Sequence, residues 1–129
     1  MNIGMKKQTS MTYERALEEV PEALKREGFG VLTRIDLKET LKAKLGVDFR
    51  RYMVLGACNP PIAHQALSHE LGFGVLIPCN VVVYEGDDGK AVVTAVDPVQ
   101  TIAASGDATM QGLVKDIRAR LARVLEQLK

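Results

Sequence analysis

The sequence predicts a single α+β domain, with helices on one face of a mainly antiparallel sheet and a long helix at the C-terminal end. Three observations carry that prediction. Short runs rich in β-branched residues alternate with helical patterns between residues 12 and 96. The tract Glu85-Gly86-Asp87-Asp88-Gly89-Lys90 joins two such runs as a hairpin turn, which makes the sheet antiparallel there. Finally, Met110, Leu113, Val114, Ile117, Leu121, Val124, Leu125 and Leu128 fall on one helical stripe, so a helix over about residues 107–128 packs across the sheet.

The elements follow in order. Thr12 caps a first helix, residues 12 to 27, whose face is Tyr13, Ala16, Leu17, Val20 and Leu24. Pro21 lies inside it, so a kink or two shorter helices is expected, and Gly28 stops it. Residues 30 to 35 read as a strand. Asp36 with Glu39 starts a short helix carrying Leu41 and Leu45. Arg51 to Leu55 reads as a buried strand ending at Gly56, with Arg50-Arg51 as an exposed basic spot at its start. Asn59 caps the next helix, Pro60 and Pro61 sit in its first turn, and Ile62, Ala66, Leu67 and Leu71 form its apolar face. Two apolar runs, Val75-Leu76-Ile77 and Val81-Val82-Val83-Tyr84, are separated by Pro78-Cys79-Asn80, where the proline implies a strand edge, bulge or bend. Ala91 to Val96 returns as a strand that Asp97-Pro98 ends. The order is strand, helix, strand, short helix, strand, helix, two or three strands, and a long helix, in one domain spanning 1–129.

Composition excludes several function classes. With 129 residues, 47% hydrophobic and 26% charged, the chain is an ordinary globular domain able to bury roughly two-thirds of its unfolded surface. Seventeen basic against sixteen acidic residues leave a charge of +1, so no global field favours nucleic acid or an acidic membrane. Three Tyr, three Phe and no Trp supply too few rings for a base-stacking platform. The segment Met1-Asn2-Ile3-Gly4-Met5-Lys6-Lys7 lacks a secretory h-region, and no uncharged apolar run reaches about 18 residues, so a cytoplasmic protein is expected. In that compartment two cysteines 21 positions apart form neither a disulfide framework nor a common zinc motif. No dinucleotide loop, phosphate loop or nucleophile elbow is present, so no nucleotide site is indicated, and the sequence leaves any cofactor unassigned.

The candidate site gathers Cys58, Asn59, His64, Cys79 and Asp97. Cys58, at a strand-to-helix junction, would feel the positive end of a helix dipole, which lowers a thiol pKa; the plainer reading is a small buried hydrophobe. Cys79 reads equally as a core residue at a strand bend. His64, six residues after Cys58, is placed to act as a base or second ligand. His69 lies about 140° around the helix from His64, so the two do not chelate together, and it reads as solvated. Asp97 can orient a histidine, bind a ligand, or cap a turn.

Taken together, Gly28-Phe29-Gly30-Val31-Leu32, Leu55-Gly56-Ala57-Cys58-Asn59-Pro60, Leu76-Ile77-Pro78-Cys79-Asn80-Val81-Val82-Val83-Tyr84-Glu85 and Val96-Asp97-Pro98 resemble domain of unknown function family 302, over roughly residues 5 to 100. The resemblance implies a stand-alone bacterial or archaeal domain of TATA-binding-protein-like α+β architecture, with no established activity and no implied nucleic-acid binding. The family's version of the junction reads Phe-Gly-Asn-Pro, so Gly56, Asn59 and Pro60 fit it while Cys58 departs from it. Small-ligand binding is the leading class, with backbone amides after Asn59 holding an anionic group. A thiol-dependent redox or metal protein using Cys58 and Cys79 is the rival, and a structural or interaction domain the third. An open sheet face or edge favours a homodimer.

Overall fold

In the computed structural model, which describes residues 3–102 and 107–129, eleven apolar and polar runs resolve into strands and helices in the order β1 (Gly4–Gln8), α1 (Tyr13–Arg26), β2 (Gly30–Asp36), α2 (Leu37–Leu45), β3 (Tyr52–Cys58), α3 (Pro60–His69), a 3-10 segment (Leu71–Leu76), β4 (Cys79–Glu85), β5 (Ala91–Val96), α4 (Pro98–Ile102) and α5 (Ala108–Gln127). Residues 1–2 of the N-terminal segment and residues 103–106 lie outside the described residues. The five strands form one antiparallel sheet in the order β1-β5-β4-β3-β2. The expected leading strand is β1, which pairs with β5 from Gly4↔Val96 to Gln8↔Val92.

Strand alternation sends residues to two faces. Leu55 and Ala57 on β3, Val81 and Val83 on β4, and Ala91, Val93 and Ala95 on β5 form one buried cluster with Ala16, Val20 and Leu24 of α1 and Leu121, Val124 and Leu125 of α5. The predicted stripe of α5 is the one buried, with only Leu113 left partly exposed at its upper end. The hairpin also forms as expected. Gly86 donates to the carbonyl of Lys90 at 2.8 Å and Gly89 supplies the positive φ of +80° that closes the turn.

Four expectations are corrected. Of the kink or division expected at Pro21, the division does not occur: helix α1 is continuous there, with Val20, Ala23 and Leu24 around the missing amide fully buried and holding the backbone helical. The run Val75-Leu76-Ile77 is no strand: Gly72 and Gly74 permit a 3-10 segment anchored by buried Phe73, leaving Leu71 and Val75 almost wholly exposed. Leu71 therefore leaves the face of α3. Strand β3 passes through Gly56 to Cys58, because a side chain at 56 would meet Thr33 Oγ1 and the ring of Pro78, which only glycine avoids. Arg51 is not a free basic spot; it pairs with Glu14 and Glu85 and lies over the ring of Tyr13 at 4.9 Å.

Candidate functional site

The junction after β3 is built around Asn59. Its Oδ1 accepts the amide of Ile62 at 3.3 Å and its carbonyl accepts the amide of Ala63 at 2.8 Å, while Pro60 and Pro61 have no amide to offer. The donors that an anion would need at this helix end are thus absent or already used, which removes the physical basis for the anionic reading there. Asn59 instead ties three elements together. Its Nδ2 donates to the carbonyl of Glu27, which also accepts from Arg120 at 3.1 Å, and the Glu27 carboxylate receives Arg123 at 2.9 Å. Gly28, with φ +87°, turns the chain directly against that amide.

Cys58 and Cys79 come together. Ala57 opposes Cys79 in the β3–β4 ladder, and both thiols, free of any disulfide, line a cavity shared with Phe29, Ile62, Phe73 and Ile117. That cavity measures about 30 Å³, space for a water or two and no more. Of the two readings of Cys58, the direction of its thiol shift favours the small hydrophobe over the dipole-activated thiolate. Burial pushes the Cys58 thiol up, and burial together with the neighbouring Cys58 pushes Cys79 up to about 11.

The other candidates stand elsewhere. His64 is exposed on α3 and does not line the cavity. Asp97 is buried at the end of β5, where its carboxylate accepts the amide of Val99 at 3.0 Å and Arg118 Nε at 3.1 Å, making it a helix cap and ion pair. His69 is exposed yet not simply solvated: its Nε2 lies 2.6 Å from Asp107, which caps α5 through Met110. The Met110 amide first, and His69 second, hold the Asp107 carboxyl below the usual carboxylate range. Among the described residues no three His, Cys, Asp or Glu side chains are grouped to hold a metal ion.

The larger concavity lies on the opposite face of the sheet. Register places Tyr52, Val54 and Gly56 of β3 beside Tyr84, Val82 and Asn80 of β4, and Val92 and Thr94 of β5 beside Tyr84 and Val82, with Val96 following on the same face. Tyr52 and Tyr84 stack with centroids 5.4 Å apart and planes 6° from parallel. Between these rings and Ile3, Val82, Thr94 and Val96 lies a groove of about 390 Å³ with no charged side chain in its lining. A second hollow of about 280 Å³ shares Asn80 and Val96 with it and continues to Leu76 and Pro78. Sequence reasoning missed these residues because it treated the apolar strands as core. The signal was present, since Tyr52-Met53-Val54 and Val82-Val83-Tyr84 are apolar at every position, and the helices can cover only one of two apolar faces.

The match with known proteins extends past the region the resemblance covered. The model of Domain of unknown function DUF302 matches residues 5–128, so it includes α5 as well as the sheet. Nothing among the curated proteins matches. A solved structure, the crystal structure of an uncharacterized conserved protein DUF302 from Bacillus stearothermophilus, is 30% identical, superposes with a TM-score of 0.90 and is covered over 100% of both chains. A whole-length superposition, at that identity and with a family model spanning nearly every element, means that this chain belongs to the DUF302 family.

Proposed function

We propose that this domain binds a small, uncharged, ring-bearing molecule on the open face of its sheet, as a cytoplasmic homodimer. One observation carries the ligand reading: the groove beside Tyr52 and Tyr84 has about 390 Å³, within the range of small-molecule sites, whereas the cavity at Cys58 and Cys79 has about 30 Å³. The chemistry of the groove selects the ligand class. Stacked phenol rings accept a flat ring, the Asn80 amide and the Thr94 and tyrosine hydroxyls supply hydrogen bonds, and the lining offers no counter-ion for a charge. Two free, half-buried thiols fit a reducing compartment. The homodimer is supported by apolar surface beyond the groove, where Leu32, Ile35 and Phe49 are exposed.

The test is a fluorescence titration with the neutral aromatic probe N-phenyl-1-naphthylamine. Saturable binding is expected, weakened at least about tenfold by Val82→Lys, which plants a charge in the groove, and unchanged by Cys58→Ser. Absence of saturable binding, or binding that Cys58→Ser abolishes and Val82→Lys spares, overturns the reading.

A further inference from the structure

Asn80 is out of character with its surroundings. It is the second residue of β4, and strand alternation puts it on the open face in line with Val82 and Tyr84. Asparagine is depleted in strands, and its neighbours on this face are valines, tyrosines and a glycine. Its side chain is exposed and, among the described residues, makes no hydrogen bond. The sheet also opens beside it. Asn80 pairs with Gly56 of β3, and Val96 pairs with Gly4 of β1, but the β4–β5 ladder begins only at Val81↔Ala95. Asn80 and Val96 therefore flank the place where these two strands part. They are also the two residues shared by the groove of about 390 Å³ and the hollow of about 280 Å³. Each is opposed by a glycine, so no side chain stands over it from that neighbour.

We propose that Asn80 is the specificity-determining residue of the groove, pairing its carboxamide with the amide or lactam edge of a neutral, elongated aromatic ligand. The inference rests on the groove reading of the proposed function and adds the ligand's second end. A carboxamide holds a donor and an acceptor side by side in one plane, which is the complement of another amide edge. Asn80 is the one side-chain carboxamide among the residues lining the two hollows, and neither lining has a charged side chain to compete for the contact. Spacing sets the length of the ligand. Asn80 and Tyr84 are four residues apart on one strand, about 13 Å at roughly 3.3 Å per residue. A ring held near the stacked tyrosines and an amide held by Asn80 are thus opposite ends of one molecule, with the amide end at the mouth of the second hollow. An ester in place of that amide brings no N–H, leaves the Asn80 acceptor unmatched and is bound less well.

Titration calorimetry of the full chain with biphenyl-4-carboxamide and with methyl biphenyl-4-carboxylate, beside the naphthylamine titration, tests it. The two biphenyls share their rings and carbonyl and differ in the N–H donor. The native protein should bind the amide at least about tenfold more tightly than the ester. Asn80→Leu, which replaces the amide by an apolar group of similar size, and Asn80→Ala, which adds no bulk, should each abolish that preference and still bind the naphthylamine. Asn80 is exposed, so both variants should keep the fold, which circular dichroism checks. Amide binding no tighter than ester binding, or a preference that survives both substitutions, overturns Asn80 as the residue that reads the ligand while leaving naphthylamine binding and the groove standing. Absence of saturable binding by all three compounds overturns the groove and Asn80 together. An amide preference that both substitutions abolish supports Asn80 even where the naphthylamine does not bind.

Discussion

Leu55 and Val54 are neighbours on β3, yet Leu55 is completely sealed in the cluster formed with α1 and α5 while Val54 lies half-buried on the face those helices do not cover. The same strand therefore serves two purposes. The covered face stabilises the domain through contacts that leave no room for anything else, and the open face keeps apolar surface and a groove in contact with solvent. Chemical residues need not sit where cysteine and histidine do; here the concavity lies among tyrosines and valines, and the thiols lie in a near-solid wall.

The largest test of that contrast compares the two neighbours directly. Leu55→Ala should lower the unfolding free energy by about 2–5 kcal/mol in urea titrations, because it opens a cavity in the sealed cluster. Val54→Thr should cost no more than about 1 kcal/mol. Comparable losses would mean that the open face is also covered in solution.

A smaller effect is expected at the knot that joins α1, α3 and α5. Asn59→Ala removes both the cap of α3 and the donor to Glu27, and should cost about 1–2 kcal/mol by thermal or urea unfolding. Asn59→Asp keeps the cap oxygen but loses the donor and sets a carboxylate beside the Glu27 carbonyl. It should fall between the native protein and the alanine variant if the cap matters, and match the alanine variant if the tie to Glu27 is what matters.

How much of this was legible in the sequence depends on the range of the physics. Capping and periodicity are local, so Thr12, Asp36 and Asn59 as caps, the 85–90 hairpin and the α5 stripe could be read directly, and each forms. Where an outcome depended on what packs against a segment, local rules were insufficient. Pro21 breaks a solvated helix but not one pinned by Val20 and Leu24, and the apolar run after Gly74 has strand character until Phe73 anchors it as a 3-10 turn. The site was legible only in part. Ladder register alone brings Cys79 opposite Ala57 and so beside Cys58, while His64 and Asp97 depart because the faces of α3 and the end of β5 point elsewhere. No local pattern says which face of an all-apolar strand the helices will cover.

The smallest expected effect concerns the wall itself, and its sign separates a buried thiol from an activated one. With its folded pKa raised to about 11, above about 8.5 in the unfolded chain, Cys79 is protonated in both states at neutral pH and its contribution to stability is fully present. As pH rises past about 8.5 the unfolded chain ionises first, so stability falls progressively until the folded thiol also titrates. The melting temperature should therefore slope downward between about pH 8 and pH 10.5, and Cys79→Ala should flatten that slope whatever its own baseline stability. In the same range, native Cys79 should react with iodoacetamide far more slowly than in denaturant, because only the thiolate attacks. A slope unchanged by Cys79→Ala, or rapid labelling of the native protein at neutral pH, would mean that the cavity opens to solvent. The sealed half of the comparison would then end at Ala57, not at the thiols.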